Sequence, residues 1–503
     1  MVFIIPGTNE KYTQGLLKPL VHHTFAFGVA ALASVLERDG IKVKIHNDSI
    51  RPLDIEGIKK LACQEDGRQI FALSCLTAQA FRAVELLRLI KEAVPDSVVI
   101  VGGIHATNMP QEFMDAGFDY AFIGEAELFI TELVSSLSEG KDISNIKGVV
   151  SRNTQGKMRI CPPSNELIDL GELPLFPFHL FHEDMDHYEV GILMSARGCP
   201  NQCIFCSMRT TTGLSYRVRP MNMVLEELEI IINKYSAKSI FFIEDNFVVR
   251  KQRTIELCDQ IINRGWNKKA KFICQFRGDA TTPEVLEKLV EAGFETVTLG
   301  IETGSERVAK IIKKGETVEE NCNAVYLSKK YGLSVSATFI IGFPHETAKD
   351  RRATFKLAMK LPLDAVRINI AIPFPGTPMY EMTKHKLQIE EGWSNFNVVS
   401  SLVTGPFGAL KLPYVPEGAT EAELRFLSMW GNMKFWLKPV NFIKFFTLST
   451  TGVTRFPPGW YVKPIFLLDI LKIGVLVASI ILWIAFLGIK YNVERLLVVS
   501  NES

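Results

Sequence analysis

Three of the nine cysteines in this 503-residue chain, Cys199, Cys203 and Cys206, fall within the eight residues CPNQCIFC. Spacings of four and three let the three thiolates face one point if the chain curls into a loop, giving three soft ligands and no fourth. A structural zinc site wants a closed set of four, and no His or Cys follows nearby to complete it. An iron–sulfur cluster accepts three cysteines more readily, because they ligate three irons and leave one open to an outside ligand. The remaining cysteines are scattered and the total is odd, unlike a secreted disulfide framework, so a reducing compartment is expected.

The elements that must position this loop are legible on both sides of it. Residues 1–145 alternate the strand-like stretches MVFIIP, KVKIHN, IFALSCL, SVVIVGG and YAFIGE with helix-like ones such as FGVAALASVLERDG and AFRAVELLRLIKEAV, the first of which stops at Gly40. That rhythm predicts an α/β domain on a parallel sheet. Residues 146–188 interrupt it with Pro162, Pro163, Pro174 and Pro177 and read as a linker draped over a surface. From 189 to 385 six strand stretches follow with helices between them: VGILMSA, SIFFIED, KFICQFRG, TVTLGIE, SVSATFIIGFP and AVRINIAIPFP. They predict a partial (β/α)6 barrel with the cysteines directly after its first strand, at the sheet end where ligands gather.

Past residue 385 the α/β signal fades into a helical region, 386–460. Met429 to Phe446 mixes Trp430, Phe435, Trp436, Phe442, Phe445 and Phe446 with Lys434, Lys438 and Lys444, which fits a helix on a membrane surface or a packed helix with a basic outer face. In the last stretch, 461–503, Ile473 to Ile489 carries no charge and no proline. As a helix it is about 26 Å long, a little short of the ~30 Å hydrocarbon core, so it is read as a membrane-associated segment that spans, tilts or lies in the interface. The opening MVFIIPGTNEKY has no basic region before its apolar run and reads as a first strand rather than a cleavable signal. Lys plus Arg number 56 against 55 for Asp plus Glu, a net charge of +1, which removes any global pull toward nucleic acid.

At the cysteines the chain resembles the radical S-adenosylmethionine (SAM) enzymes, whose CxxxCxxC motif is matched by Cys199, Cys203 and Cys206, with the favoured aromatic, Phe205, before the third. The resemblance implies a [4Fe-4S] cluster whose unique iron binds the amino and carboxylate groups of SAM. It implies too that a low-potential reductant such as flavodoxin or ferredoxin drives SAM cleavage to methionine and a 5'-deoxyadenosyl radical. Further along, Glu244, Asp245 and Asn246 in FFIEDNF stand where the family contacts the SAM amino group, and Glu302 and Ser305 in TLGIETGSERV where it holds SAM's polar end and ribose. Gly342 and Pro344 in FIIGFPHET match the backbone that runs beside the adenine. Arg277 in QFRGD is either a partner for a carboxylate of SAM or substrate, or a salt bridge at the barrel mouth.

A second resemblance covers the first domain, whose fold is then flavodoxin-like, of the cobalamin-binding type. Ser74 and Leu76 match an SxL element and Gly102 and Gly103 a GG element, where a small hydroxyl and bare glycines let the nucleotide tail of cobalamin slide into the sheet. The DxHxxG motif, whose His binds cobalt from below in many cobalamin proteins, is absent: neither His22 nor His23 sits in one, and His105 reads as a polar loop residue. Radical SAM members of this type that lack the motif are thought to bind cobalamin without a protein ligand. The expectation is a radical SAM enzyme on the cytoplasmic face of a membrane, held by its C-terminal segment, methylating an unactivated carbon of a lipid or other apolar small molecule. Cyclisation, coupling or oxidation of a lipid or tetrapyrrole-like substrate without methyl transfer, and a non-catalytic cluster and cobalamin sensor, are the alternatives.

Overall fold

The computed structural model describes residues 1–8, 23–62, 68–390, 392–397, 410–437, 482 and 484–492. His22, Cys63, the basic aromatic stretch beyond Leu437, and the Ile473–Ile489 segment apart from Leu482 and its last six residues lie outside the described residues.

Strands β1 (Val2–Ile5), β2 (Lys44–Asn47), β3 (Ile70–Ser74), β4 (Val98–Gly102) and β5 (Tyr120–Phe122) form a parallel sheet in the order β2-β1-β3-β4-β5. This is the doubly wound order whose ligands sit beyond the strand C-termini. The sheet does not stop there: β6 (Val149–Arg152) and β7 (Met158–Ile160) extend it as antiparallel strands. The stretch expected to be a bare linker therefore begins by building sheet, and only beyond Ile160 does the chain run irregularly toward the second unit. The helices Phe27–Arg38 and Ile130–Ser138 cover one face of the sheet, with Val29, Leu133 and Val134 among their buried residues.

The second unit is a parallel sheet of six strands, β8 (Ile192–Leu193), β11 (Ser239–Phe242), β12 (Lys271–Phe276), β13 (Phe294–Glu302), β14 (Ser334–Ile341) and β15 (Ala365–Ile370), neighbours in that order. It is an open partial barrel, since β8 and β15 do not pair. No residue of β14 is exposed, because helices cover the sheet outside and side chains fill it inside, although Ser334, Ser336 and Thr338 alternate with its apolar residues. Those helices start where the sequence offers caps: Thr282 followed by Pro283, and the Thr317/Glu320 and Thr347/Asp350 capping boxes. The first barrel strand is shorter than its apolar run. After β8 the chain makes β9 (Ala196–Arg197), which pairs antiparallel with β10 (Arg217–Val218), and the cysteine loop is what this small hairpin encloses.

The open edge at β15 is finished by the helix Glu421–Trp436. Asn432 accepts from the Ile368 amide and donates to the Ile368 carbonyl, both at 3.0 Å, replacing the next strand at that residue. Arg351, fully buried, ties the same helix down through Glu423 at 2.9 and 3.1 Å. Removing one partner of such a pair strands a buried charge, so Glu423→Ala should cost about 3–5 kcal/mol, read as a lower urea midpoint. Residues 484–492 form a helical stretch that returns to this helix, with Ile484 and Leu487 packed beside Ala422 and Met429. Among the described residues no helix is long and apolar enough to cross a membrane.

Candidate active site

Gly198, which opens the cysteine loop, has φ +93°, and a Cβ there would lie 2.0 Å from the carbonyl oxygen of Ser215, two residues before the returning strand. Only glycine lets the hairpin close so tightly. The loop is then pinned inside the barrel, with the Ile204 amide donating to the Ile312 carbonyl at 3.0 Å and the Met379 amide to the Ile204 carbonyl at 3.0 Å. Cys199, Cys203 and Cys206 are all free thiols, and the Asn201 amide donates to the Cys199 Sγ at 3.2 Å. Burial pushes Cys206 up to about 11, with Asp245, Cys203 and Cys199 adding to it. It also raises Cys203, against the pull of Lys314 and Arg277. Among the described residues no three His, Cys, Asp or Glu side chains are grouped to hold a single ion, and thiolates that bind three different irons need no such convergence. Three clustered free thiols next to buried cations fit an anionic thiolate-ligated cluster, whose loading releases the thiol protons.

The strand ends bring most of the expected SAM residues toward this loop. Glu244 is buried, accepts the Ser195 amide on Oε1 at 2.5 Å, and has no partner on Oε2; Asn246 Oδ1 is likewise buried and unpaired, while Asp245 is exposed. Unpaired buried acceptors facing a barrel interior call for a donor-bearing ligand. Phe205 lies 5.4 Å, centroid to centroid, from Phe343, next to Gly342 with its φ of +91°, so the cysteine loop and the end of β14 meet. Glu302 sits at a bulge with φ +65°, an uncommon conformation for a non-glycine residue, and its Oε2 is buried without a partner. Ser305 is committed structurally, capping the helix Glu306–Ile311 and donating to Asp350 at 2.6 Å. Arg277 takes the salt-bridge role, with Asp279 at 2.9 Å and Glu316 at 3.7 Å.

Burial lifts Glu244 to about 7, against the pull of the Ser195 amide. A carboxyl raised in the folded state favours the fold most below its ordinary value of 4.5, and the contribution disappears as pH climbs through 7. Glu244→Gln should therefore remove part of the stability lost by the ligand-free protein between pH 5 and pH 8, about 3 kcal/mol for a shift of this size. Thermal melts of both proteins across that range check it.

A cavity of about 280 Å³ runs from the first sheet to the cysteine hairpin. Its mouth is set by Ser74, Gly102 and Gly103, and its inner part by Phe3, Val29, Leu32, Ala72, Ile100 and Phe122. By strand register Met1 lies level with Ile70, four residues below Ser74, so the cavity is about 13 Å deep. The two glycines act differently. Gly103 has φ +93° and a Cβ there would stand 2.8 Å from the Cys75 backbone, whereas a Cβ on Gly102 meets nothing closer than 3.9 Å. A narrow, mostly apolar slot behind bare glycines fits the nucleotide tail of cobalamin. Leu76 does not line the slot; the residue is 59% exposed. His105 is no loop residue either, being fully buried in a short helix between Phe113 and Trp393, with Glu112 at 3.4 Å.

The far wall of the cavity holds residues that local sequence does not announce. Arg197, Met208, Thr211 and Thr212, immediately before and after the cysteine loop, face it from the barrel. Arg197 pairs with Glu127 at 2.6 Å and with Glu125 at 3.5 Å, and Arg217 pairs with Glu125 at 2.5 Å. This largely buried ladder joins the two units.

A parallel sheet with an apolar slot beyond its strand ends, packed on a partial barrel whose first loop holds three thiols, is the framework of a cofactor-dependent enzyme. Residues 193–358 match the Radical SAM superfamily and residues 16–134 the B12 binding domain. An uncharacterised methyltransferase of Pyrococcus horikoshii is 31% identical over 441 residues, 86% of this chain and 92% of the relative. An anaerobic magnesium-protoporphyrin IX monomethyl ester cyclase of Rubrivivax gelatinosus is 25% identical, with 79% and 70% covered. A hopanoid C-3 methylase of Methylococcus capsulatus is also 25% identical, with 77% and 73% covered. Among solved structures, the radical SAM methyltransferase TsrM of Kitasatospora setae, with cobalamin and a [4Fe-4S] cluster bound, shares the fold with a TM-score of 0.67 at 18% identity, over 88% of this chain and 89% of that one. The chain belongs to the radical SAM enzymes that carry a B12-binding domain. It is an enzyme rather than a passive sensor, and its cofactors are a [4Fe-4S] cluster, SAM and cobalamin.

Proposed function

We propose that this enzyme methylates an unactivated carbon of an apolar small molecule, with lipids the leading class, and that Cys199, Cys203 and Cys206 hold the cluster while Glu244, Asn246, Glu302 and the Gly342–Phe343 backbone hold SAM. The observation that supports the reading is the cavity that runs from Ser74 and Gly102 to Arg197, Met208, Thr211 and Thr212, the residues flanking the cysteine loop, because it leaves room for a second cofactor beside that loop. When bound, the cofactors supply a carbon-centred radical and a transferable methyl group. The chain's own contribution is to orient them and to exclude water with residues such as Ile204, Phe343 and Met379. Relatives that methylate hopanoids support a lipid, as does the uncharged run Ile473–Ile489, which on this reading holds the enzyme at the cytoplasmic face of a membrane.

A second reading, radical cyclisation or oxidation without methyl transfer, is favoured by the cyclase relative. Anaerobic protein reconstituted with iron, sulfide and hydroxocobalamin, then reduced and given trideuteromethyl SAM and a lipid extract, separates the two. Methylation yields 5'-deoxyadenosine, S-adenosylhomocysteine and a trideuteromethylated lipid. Iron retained without cobalt, with 5'-deoxyadenosine as the only SAM product besides methionine, sinks the methyl-transfer reading. Deleting Leu468–Ser503 then tests the anchor: if it only localises the enzyme, turnover of a water-dispersed substrate survives while membrane pelleting is lost.

A further inference from the structure

Lys314 is a lysine almost wholly enclosed by the barrel, its side chain 7% exposed. A buried ammonium persists only where counter-charges and hydrogen bonds replace its water. Here Glu316 stands at 3.1 Å and Glu302 at 4.0 Å from Nζ, and Arg277 closes the group by donating to the Lys314 carbonyl at 2.7 Å while lying 3.7 Å from Glu316. Two cations thus face two carboxylates, with Asp279 at the rim. The space is made by Gly300, where a Cβ would lie 2.6 Å from Glu302 Oε1 and 3.5 Å from Lys314 Nζ. The bulge in β13 and the positive φ of Glu302 turn its carboxylate into this space. The segment carrying Lys314 is also the one that accepts the Ile204 amide through the Ile312 carbonyl, so one short stretch of chain touches both the cysteine loop and Glu302.

We propose that Lys314 is a positioning residue of the SAM site: through its ion pair it holds the Glu302 carboxylate with Oε2 free toward the ligand, in fixed relation to the cysteine loop. Glu316 and Arg277 hold Lys314 in turn. The inference rests on the reading that Glu302 contacts SAM. Burial pushes the Glu302 carboxyl upward and Glu316 adds to it, while the Lys314 ammonium pulls it back.

The test uses full-length protein reconstituted anaerobically, with iron content, circular dichroism, and the electron paramagnetic resonance spectrum of the reduced cluster titrated with SAM. Lys314→Met should keep its iron and fold but bind SAM at least tenfold more weakly, with the SAM-induced spectral change displaced to higher concentration. Lys314→Arg should restore most of the affinity. Wild-type affinity in Lys314→Met overturns the proposal. If Lys314→Met does not fold or load iron, Gly300→Ala decides, because it displaces the Glu302 carboxylate without changing any charge: weakened SAM binding supports the proposal and unchanged binding overturns it. Glu302→Gln tells the two failures apart. If that variant binds SAM normally, the Glu302 contact itself is wrong; if it binds weakly while Lys314→Met binds normally, only the positioning role falls.

Discussion

Replacing Cys199, Cys203 and Cys206 together by alanine should reduce bound iron from about four per chain to near none and lower 5'-deoxyadenosine formation by at least about a thousandfold. The size follows from the site, since the three free thiols are the cluster's expected ligands and alanine offers iron none. The fold should survive. The loop is held by the backbone bonds of Ile204, which the substitutions leave in place, and burial holds the thiols of Cys203 and Cys206 neutral in the empty protein, so no charge is stranded. Unchanged circular dichroism and unchanged cobalamin binding would separate loss of the cluster from loss of structure. Iron retained by the triple variant would refute the site.

The second large effect is expected at the cobalamin slot, where the two adjacent glycines give opposite outcomes. A leucine at Gly102 places its Cβ in ordinary contact with Phe122, 3.9 Å away, and its methyl groups in the cavity. Gly102→Leu should therefore leave folding and iron content near wild type while weakening cobalamin binding roughly a hundredfold, about 2.7 kcal/mol. Gly103→Ala should instead strike the fold, since its Cβ meets the Cys75 backbone and φ is positive. Equilibrium binding of hydroxocobalamin followed by its visible spectrum, with iron analysis of the same samples, measures both. Cobalamin bound normally by Gly102→Leu would mean that the cavity is not the tail slot.

What could be read from sequence depended on how local the cause was. The cysteine spacing, the strand-end positions of Glu244, Asn246 and Glu302, and the double glycine after β4 are local; the structure leaves buried acceptors of the three acidic and amide residues unpaired and lines a cavity with the glycines. Leu76 was legible only as part of a three-residue pattern. Its direction is decided by the turn that follows, where Gln79 accepts the Leu76 amide at 2.9 Å and donates to the Pro6 carbonyl, turning the leucine outward. His105 is buried because Trp393, from the far end of the barrel unit, packs over it and donates to Glu112 at 2.8 Å. No window around His105 contains that contact. Lys314 and Arg197 are hidden for the same reason, as a lysine after a helix and an arginine before a glycine look solvated until distant carboxylates enclose them. The stretch after residue 146 reads as linker because β6 and β7 are short and its prolines follow them; their pairing with β5 is what makes them strands.

The ladder of Arg197, Glu127, Glu125 and Arg217 bears on how such a protein can be taken apart and recombined. Its charges are divided between the two units, glutamates on one and arginines on the other. Each unit alone presents like charges on a surface shaped for its counterpart. A natural or engineered exchange of first domains that cuts after residue 145 parts these pairs, whatever the quality of each half. The piece that keeps these pairs intact is the first domain together with the β9–β10 hairpin, and so it already includes the cysteine loop.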